Sequence, residues 1–286
     1  MTNQNQAKSD VATELLDILA LETIDDNLYR GQNDSVHLMR LFGGQVLAQA
    51  ISAAFNTVDD DRPCHSAHGY FLRPGSPKLP VLYRIERIRD GRSFTTRRIV
   101  ALQNGEAIFS MDASFQVSES GFEHQIPMQG IEPPEALEDD AIAAKKRGVT
   151  NPWMLRQRPF ECRSVAQLQD PDTARFDNPV WIKFRKPVPE GLRYHHQLLA
   201  YASDMGFVST SFLPHQEVHS RDNIQMASLD HALWFHQPVD VSEWLLFSKE
   251  STNAESSRGF NRGEFFTREG VLVASVMQEG LMRVRR

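Results

Sequence analysis

The sequence predicts an α+β protein built from two similar modules, and three observations carry that prediction. A strand-like run, a helix-like run and four further strand-like runs occur in that order twice. Laid on one another without gaps, Phe71, Pro74, Leu82, Ser93, Arg98 and Ile108 face Phe235, Pro238, Leu246, Ser257, Arg262 and Leu272, each pair 164 residues apart. The helices align at a separation of 152, Gln45 with Gln197 and Phe55 with Phe207, so the second half carries an insertion after its helix. Chance matches a few hydrophobic residues; a constant separation with matched breaks is what duplication leaves.

In chain order, a polar, unpacked start is followed by Asp10, placed to cap an amphipathic helix through Val11, Leu15, Ile18 and Leu19. A strand around Leu28-Tyr29-Arg30 leads to Gly43–Phe55, an Ala-rich helix whose small side chains suit close packing on a sheet. Strands follow at Ser66–Leu72, Val81–Arg89, Phe94–Leu102 and Ala107–Val117. Arg73-Pro74-Gly75, Asp90-Gly91 and Asn104-Gly105 separate them, the last two as hairpins. From Ser118 to Asn178 the composition turns to Pro, Glu, Asp and Gln, with Asp170-Pro171-Asp172 as a loop signal, a short exposed helix at Leu137–Lys146 and a strand at Phe160–Val165. The second round comprises Val180–Arg185, the helix containing Asp204, and strands at Ala232–Phe235, Trp244–Ser251, Phe260–Thr267 and Val271–Val276. The expected boundaries are a tail and short helix over 1–25, a first module over 26–118, a linker over 119–178 and a second module over 179–286.

Composition narrows the function. A net charge of -6 and a pI near 5.9 argue against nucleic acid as a partner, although a local basic patch can still meet phosphates. Two cysteines, Cys64 and Cys162, are too few for a disulfide framework or thiolate metal cluster, and no stretch is long enough to span a bilayer, so the expectation is a cytoplasmic protein without membrane insertion. Gly-x-Ser-x-Gly, P-loop and dinucleotide-binding patterns are absent. His215-Gln216-Glu217-Val218-His219 has the two-His spacing of a zinc protease with the Glu misplaced, so no metal site is expected there.

The residue of most chemical interest is Asp204. Leu198, Ala202 and Met205 form one helical stripe and Tyr201, Asp204 and Phe207 lie beside it, which puts an acid at the edge of a buried face. Gly206 is placed to end the helix, so Asp204 falls in the last turn, where the dipole disfavours negative charge. Bonding to water or a local amide would explain such an acid. The repeat adds that Ser52 stands opposite Asp204, so the acid belongs to one half, and that Ser114 stands opposite Gln278. Gln278 continues the apolar face of Leu272, Ala274 and Val276, where a buried amide needs partners. Ser228 precedes a strand, where a hydroxyl ordinarily caps a turn.

Phe42-Gly43-Gly44-Gln45, Tyr70-Phe71-Leu72-Arg73-Pro74-Gly75, Arg89-Asp90-Gly91-Arg92-Ser93-Phe94, Tyr201-Ala202-Ser203-Asp204, Leu229-Asp230-His231 with Trp234-Phe235-His236, Arg258-Gly259-Phe260-Asn261-Arg262-Gly263-Glu264 and Val276-Met277-Gln278-Glu279-Gly280 together resemble the acyl-CoA thioesterase II family. The resemblance runs from Tyr29 to Met282 and breaks down mainly in the linker. It implies a double hotdog, two fused modules each with a long helix wrapped by an antiparallel β-sheet, and hydrolysis of medium- to long-chain fatty acyl-CoA without a cofactor. It also implies a homo-oligomer, a dimer or tetramer. The family's catalytic Asp, Thr or Ser, and Gln fall on Asp204, Ser228 and Gln278. Ser keeps the hydroxyl of the more usual Thr and loses its methyl.

That set suits the chemistry. Water attacks a thioester directly if a base withdraws its proton, and thiolate leaves readily. Asp204 would be the base, with Ser228 and Gln278 fixing the water by hydrogen bonds. His65, Arg258, Gly259 and Arg262 are candidate substrate-binding residues, the arginines for CoA phosphates, with Arg92, Arg97 and Arg98 as weaker versions of the same idea. The oxyanion donor stays open. Two alternatives also stay open: a non-catalytic acyl-CoA-binding scaffold, and a hotdog-type enoyl-CoA hydratase, for which the usual Asp–His pairing is lacking.

Overall fold

A computed structural model of the chain describes residues 10–34, 39–150, 155–165 and 175–285. The polar start before Asp10 and the Asp170-Pro171-Asp172 signal lie outside them. The Asp10 carboxylate accepts from the Ala12 N–H at 2.9 Å and opens helix α1 (Val11–Leu19), which buries Leu15, Ile18 and Leu19. Next come β1 (Glu22–Asp25), β2 (Leu28–Gly31), helix α2 (Gly43–Phe55), β3 (Cys64–Phe71), β4 (Val81–Asp90), β5 (Phe94–Gln103) and β6 (Glu106–Gln116). Helix α3 (Asp140–Lys146) and β7 (Phe160–Ser164) lie in the expected linker. They lead to β8 (Val180–Phe184), helix α4 (Leu192–Ser203), β9 (Ile224–Ser228), β10 (Asp230–Phe235), β11 (Leu245–Glu255), β12 (Arg258–Thr267) and β13 (Leu272–Val284).

The strands form one antiparallel sheet in the order β1-β2-β4-β5-β6-β3-β10-β13-β12-β11-β8-β7, with β9 also paired to β13. This is the double hotdog architecture, and its internal symmetry is visible in the register. Strands β3 and β10 join the halves, and there His68 pairs with Ala232, its own counterpart at a separation of 164. The pseudo-two-fold axis passes between these two residues.

Helices α2 and α4 lie together against the sheet. Every residue of α2 from Gly44 to Phe55 is buried, and its run of alanines lets another backbone approach. The start of α2 meets the end of α4: a side chain at Gly44 would reach within 2.5 Å of the Tyr201 carbonyl. The end of α2 meets the start of α4, where Arg193 donates to Asn56 Oδ1 at 2.5 Å. The helices are therefore antiparallel, which brings Asp204, just past the end of α4, to the glycine-rich start of α2.

Three expectations need correction. Helix α4 ends at Ser203, so Asp204 is its C-cap rather than part of its last turn, and Gly206 with φ +67 takes the left-handed conformation that turns the chain away. Ser114 is not the counterpart of Gln278. Arg97 pairs with Ala113, and its duplicate Asn261 pairs with Gln278, so the last strands are related by 165 residues. The extra residue sits in the Arg268-Glu269-Gly270 turn, against Asn104-Gly105 in the first half. Because side chains alternate along a strand, a one-residue slip exchanges the faces: the inward counterpart of Gln278 is Ala113, while Ser114 bonds His65. Finally, Ser228 does precede a strand, β10, but its hydroxyl goes to Asp204 instead of capping a turn, and it also ends β9, a strand the sequence pattern did not reveal.

Candidate active site

Three elements deliver three polar side chains to one point. Asp204 Oδ1 accepts from Ser228 Oγ at 3.2 Å and from Gln278 Nε2 at 2.7 Å. Asp204 is 6% exposed and Gln278 fully buried. The second amide proton of Gln278 goes to His231 Nδ1 at 3.0 Å. His231 Nε2 lies 2.8 Å from Ser203 Oγ, which donates to the Ala200 carbonyl. The chain is self-consistent with one tautomer: Nδ1 accepts, and Nε2–H donates to a serine whose own proton is used. His231 thus holds the Gln278 amide with its NH2 toward Asp204.

Burial sets the charges. It pushes the Asp204 carboxyl up to about 6, against the opposing pull of Gln278, Ser228, the Gly44 N–H and the Arg40 guanidinium. The carboxyl is still mainly ionised at neutral pH while being a stronger base than an exposed aspartate. Burial also holds His231 down to about 3, so the ring is neutral and its 4.0 Å separation from Asp204 is no ion pair.

The start of α2 closes the other side. Phe42 caps the helix without a side-chain hydrogen bond, and of the first amides of α2 the Gly44 N–H goes to the Asp204 carboxylate while those of Gln45 and Val46 go to the Phe42 carbonyl. A side chain at Gly43 would lie 2.7 Å from Asp204 Oδ2 and 3.0 Å from the Phe71 ring, so glycine is what lets a ligand and the carboxylate share this space. At the duplicate position the site is closed. The counterparts of Gly43-Gly44 at a separation of 152 are His195-His196. The His196 ring stacks on Phe235 at 4.0 Å, and Ser52 turns away to donate to the Leu19 carbonyl at 2.7 Å.

Asp204 and Ser228 line a cavity of about 530 Å³, whose walls include Leu41, Phe42, Val46, Phe71, Ile108 and Phe109 and whose rim includes Arg40 and Arg221. Its size is that of a small-molecule site, and its lining suits an apolar chain. A family model described as acyl-CoA thioesterase matches residues 155–281, and one described as acyl-CoA thioesterase N-terminal domain matches residues 32–116. Acyl-CoA thioesterase 2 of Haemophilus influenzae is 38% identical over 283 residues, 96% of this chain and 99% of that one. The chain belongs to the acyl-CoA thioesterase family. Human acyl-coenzyme A thioesterase 8 is 38% identical over 94% of this chain and 88% of its own length. The crystal structure of the acyl-CoA thioesterase II TesB2 from Mycobacterium marinum matches with a TM-score of 0.80 at 38% identity, covering 94% of this chain and 98% of that one. This protein is a thioester hydrolase acting on acyl-CoA.

In this thioesterase the four residues expected to bind substrate all lie off the cavity. His65 bonds Ser114 at 2.8 Å. Arg258 pairs with Glu279 at 2.8 Å, and Arg262 pairs with Glu250. Gly259 is a packing glycine: a side chain there would meet Ser211 Oγ at 2.3 Å, in the 3-10 turn Thr210–His215 that presses on β12. Arg97 is buried against Asp90 and Thr57, and Arg98 pairs with Asp112. Sequence reasoning missed the roles of Gly43 and Gly44, whose poor helix propensity just inside a helix start is the signal for close approach. Arg40 and Arg221, which the sequence did not single out, also line the cavity.

Among the described residues no three His, Cys, Asp or Glu side chains gather as metal ligands, and no helix is long and apolar enough to cross a membrane.

Proposed function

We propose that this thioesterase hydrolyses medium- to long-chain fatty acyl-CoA by direct attack of a water molecule that Asp204 deprotonates and Ser228 and Gln278 orient. The observation that carries the reading is the convergence of Ser228 Oγ and Gln278 Nε2 on one oxygen of a buried carboxylate at an apolar cavity. As the water oxygen bonds to the carbonyl carbon, its proton passes to Asp204, the carbonyl oxygen gains charge, and the C–S bond then breaks to release CoA thiolate. The Gly43 amide at the start of α2 is the donor we assign to that oxygen, with the positive end of the helix dipole behind it, since the Gly44 N–H already serves the Asp204 carboxylate. Ser228 is then an orienting group, and no acyl-serine forms.

The test is release of free CoA thiol from decanoyl-CoA and palmitoyl-CoA across pH. Since the base works only when ionised, kcat/KM should be flat above pH 7 and fall about tenfold per pH unit below about 6. A rate that stays constant down to pH 4.5 would exclude Asp204 as the base. Turnover of short acyl chains alone would refute the chain-length reading.

The modules 26–118 and 179–286 remain our proposed units, the second supplying the acid. A cytoplasmic setting is supported by two free, buried cysteines. A homo-oligomer, dimer or tetramer, is supported by apolar side chains on the outer face near the pseudo-two-fold, Tyr70 at 64% and Met277 at 40% exposure. Light scattering on the purified protein should report a multiple of 32.5 kDa, and a monomer at micromolar concentration would refute it.

A further inference from the structure

We infer that Arg40 and Arg221 form an anion clasp at the cavity mouth that takes the phosphate groups of the CoA carrier. The inference rests on the acyl-CoA reading above and assigns the site's other end. Both arginines line the cavity that Asp204 and Ser228 also line. Neither has a carboxylate within 4 Å among the described residues, whereas Arg258 and Arg262, the arginines the sequence suggested, are neutralised by Glu279 and Glu250. The two also repel each other. Burial and the charges of Arg40 and Arg285 all make the Arg221 guanidinium less willing to hold its proton, with Asp222 as the opposing acid.

A protein with a net charge of -6 would not collect unpaired cations at one edge of an apolar cavity for stability, since like charges held together raise the energy of the empty site. An incoming polyanion removes that repulsion. Arg40 also donates to the Met226 carbonyl at 2.5 Å, two residues before Ser228, so its guanidinium is anchored to the strand that carries an active-site hydroxyl. Its remaining donors are free for phosphate oxygens, for which the planar guanidinium is suited. The thioester would then lie at Asp204 while the charged end of the carrier stays in solvent between Arg40 and Arg221. Asp204 stands to gain as well, because Arg40 is close enough to favour its ionised form.

The experiment compares decanoyl-CoA with decanoyl-pantetheine, which has the same thioester and no phosphate, in the wild type and in Arg221→Ala, Arg40→Ala and Arg40→Lys. For decanoyl-CoA, KM should rise about tenfold or more in each Ala variant, the scale of one lost charge-assisted contact. For decanoyl-pantetheine the same variants should raise KM far less. Arg40→Lys, which keeps the charge without the fork, should fall between. Product inhibition by CoA, dephospho-CoA and pantetheine distinguishes the 3′-phosphate from the diphosphate as the ligand. Equal KM increases on both substrates, or none on either, would overturn the clasp while leaving the hydrolase reading intact. Failure of the wild type to hydrolyse either substrate would instead overturn the reading beneath it.

Discussion

Asp204→Asn is expected to lower kcat for palmitoyl-CoA on the order of a hundredfold or more while the protein stays folded. The substitution is nearly isosteric and keeps an oxygen for Ser228 and Gln278 to donate to, at the distances they now span, 3.2 and 2.7 Å. What it removes is the base. KM should change little, because the substrate gains from Asp204 only as the water loses its proton. Stability provides an independent reading. The carboxyl is raised to about 6 in the folded protein from its ordinary value of 3.8, so its contribution to stability is fully present below pH 3.8 and is lost as pH rises through 6. At pH 7.5 the ionised acid is a net cost of about 1–3 kcal/mol. Urea unfolding should therefore show the wild type losing stability relative to Asp204→Asn between pH 5 and pH 7.5. A difference independent of pH would mean that the acid titrates normally.

Gln278→Leu is expected to lower kcat on the order of a hundredfold, by the loss of a preorganised donor. Two effects add. The Asp204 carboxylate loses a group that fixes its position against the water, and it loses the hydrogen bond that does most to hold its carboxyl down against burial. The acid limb of the pH–rate profile should therefore move above 6, the direction that separates loss of this donor from general damage. Leucine fits the volume and removes a buried Oε1 without a partner, but it leaves the buried His231 Nδ1 without its donor and Asp204 with one fewer, so a loss of stability of about 1–3 kcal/mol should accompany the loss of activity. A variant with wild-type kcat and an unmoved acid limb would remove Gln278 from the site.

The fold was legible because its signals are local. Asn104-Gly105 between alternating runs specifies a hairpin, and an Ala-rich helical run specifies a buried helix. Duplication then supplied the architecture, and the unequal pair Asp204 and Ser52 singled out the acid. The register of the last strand was not legible, because an ungapped comparison cannot see the one extra residue in Arg268-Glu269-Gly270, and a single residue decides whether Ala113 or Ser114 faces the core. Strand β9 escaped because five residues with one clear alternation look like loop; its pairing with the far end of β13 makes it a strand. The pairing of the arginines was not legible for a related reason. Whether Arg258 or Arg221 is free depends on cross-strand neighbours such as Glu279, which only the assembled sheet specifies.

The central claim, that water attacks the thioester directly with Asp204 as its base, is tested by a single turnover in H2(18)O with enzyme in excess over palmitoyl-CoA. Fatty acid and protein are then analysed by mass spectrometry. Direct attack predicts one heavy oxygen in the palmitate and none in the peptide containing Asp204. Unlabelled palmitate, with the heavy oxygen in the Asp204 carboxylate, would mean that the aspartate attacks the carbonyl itself and would contradict the account.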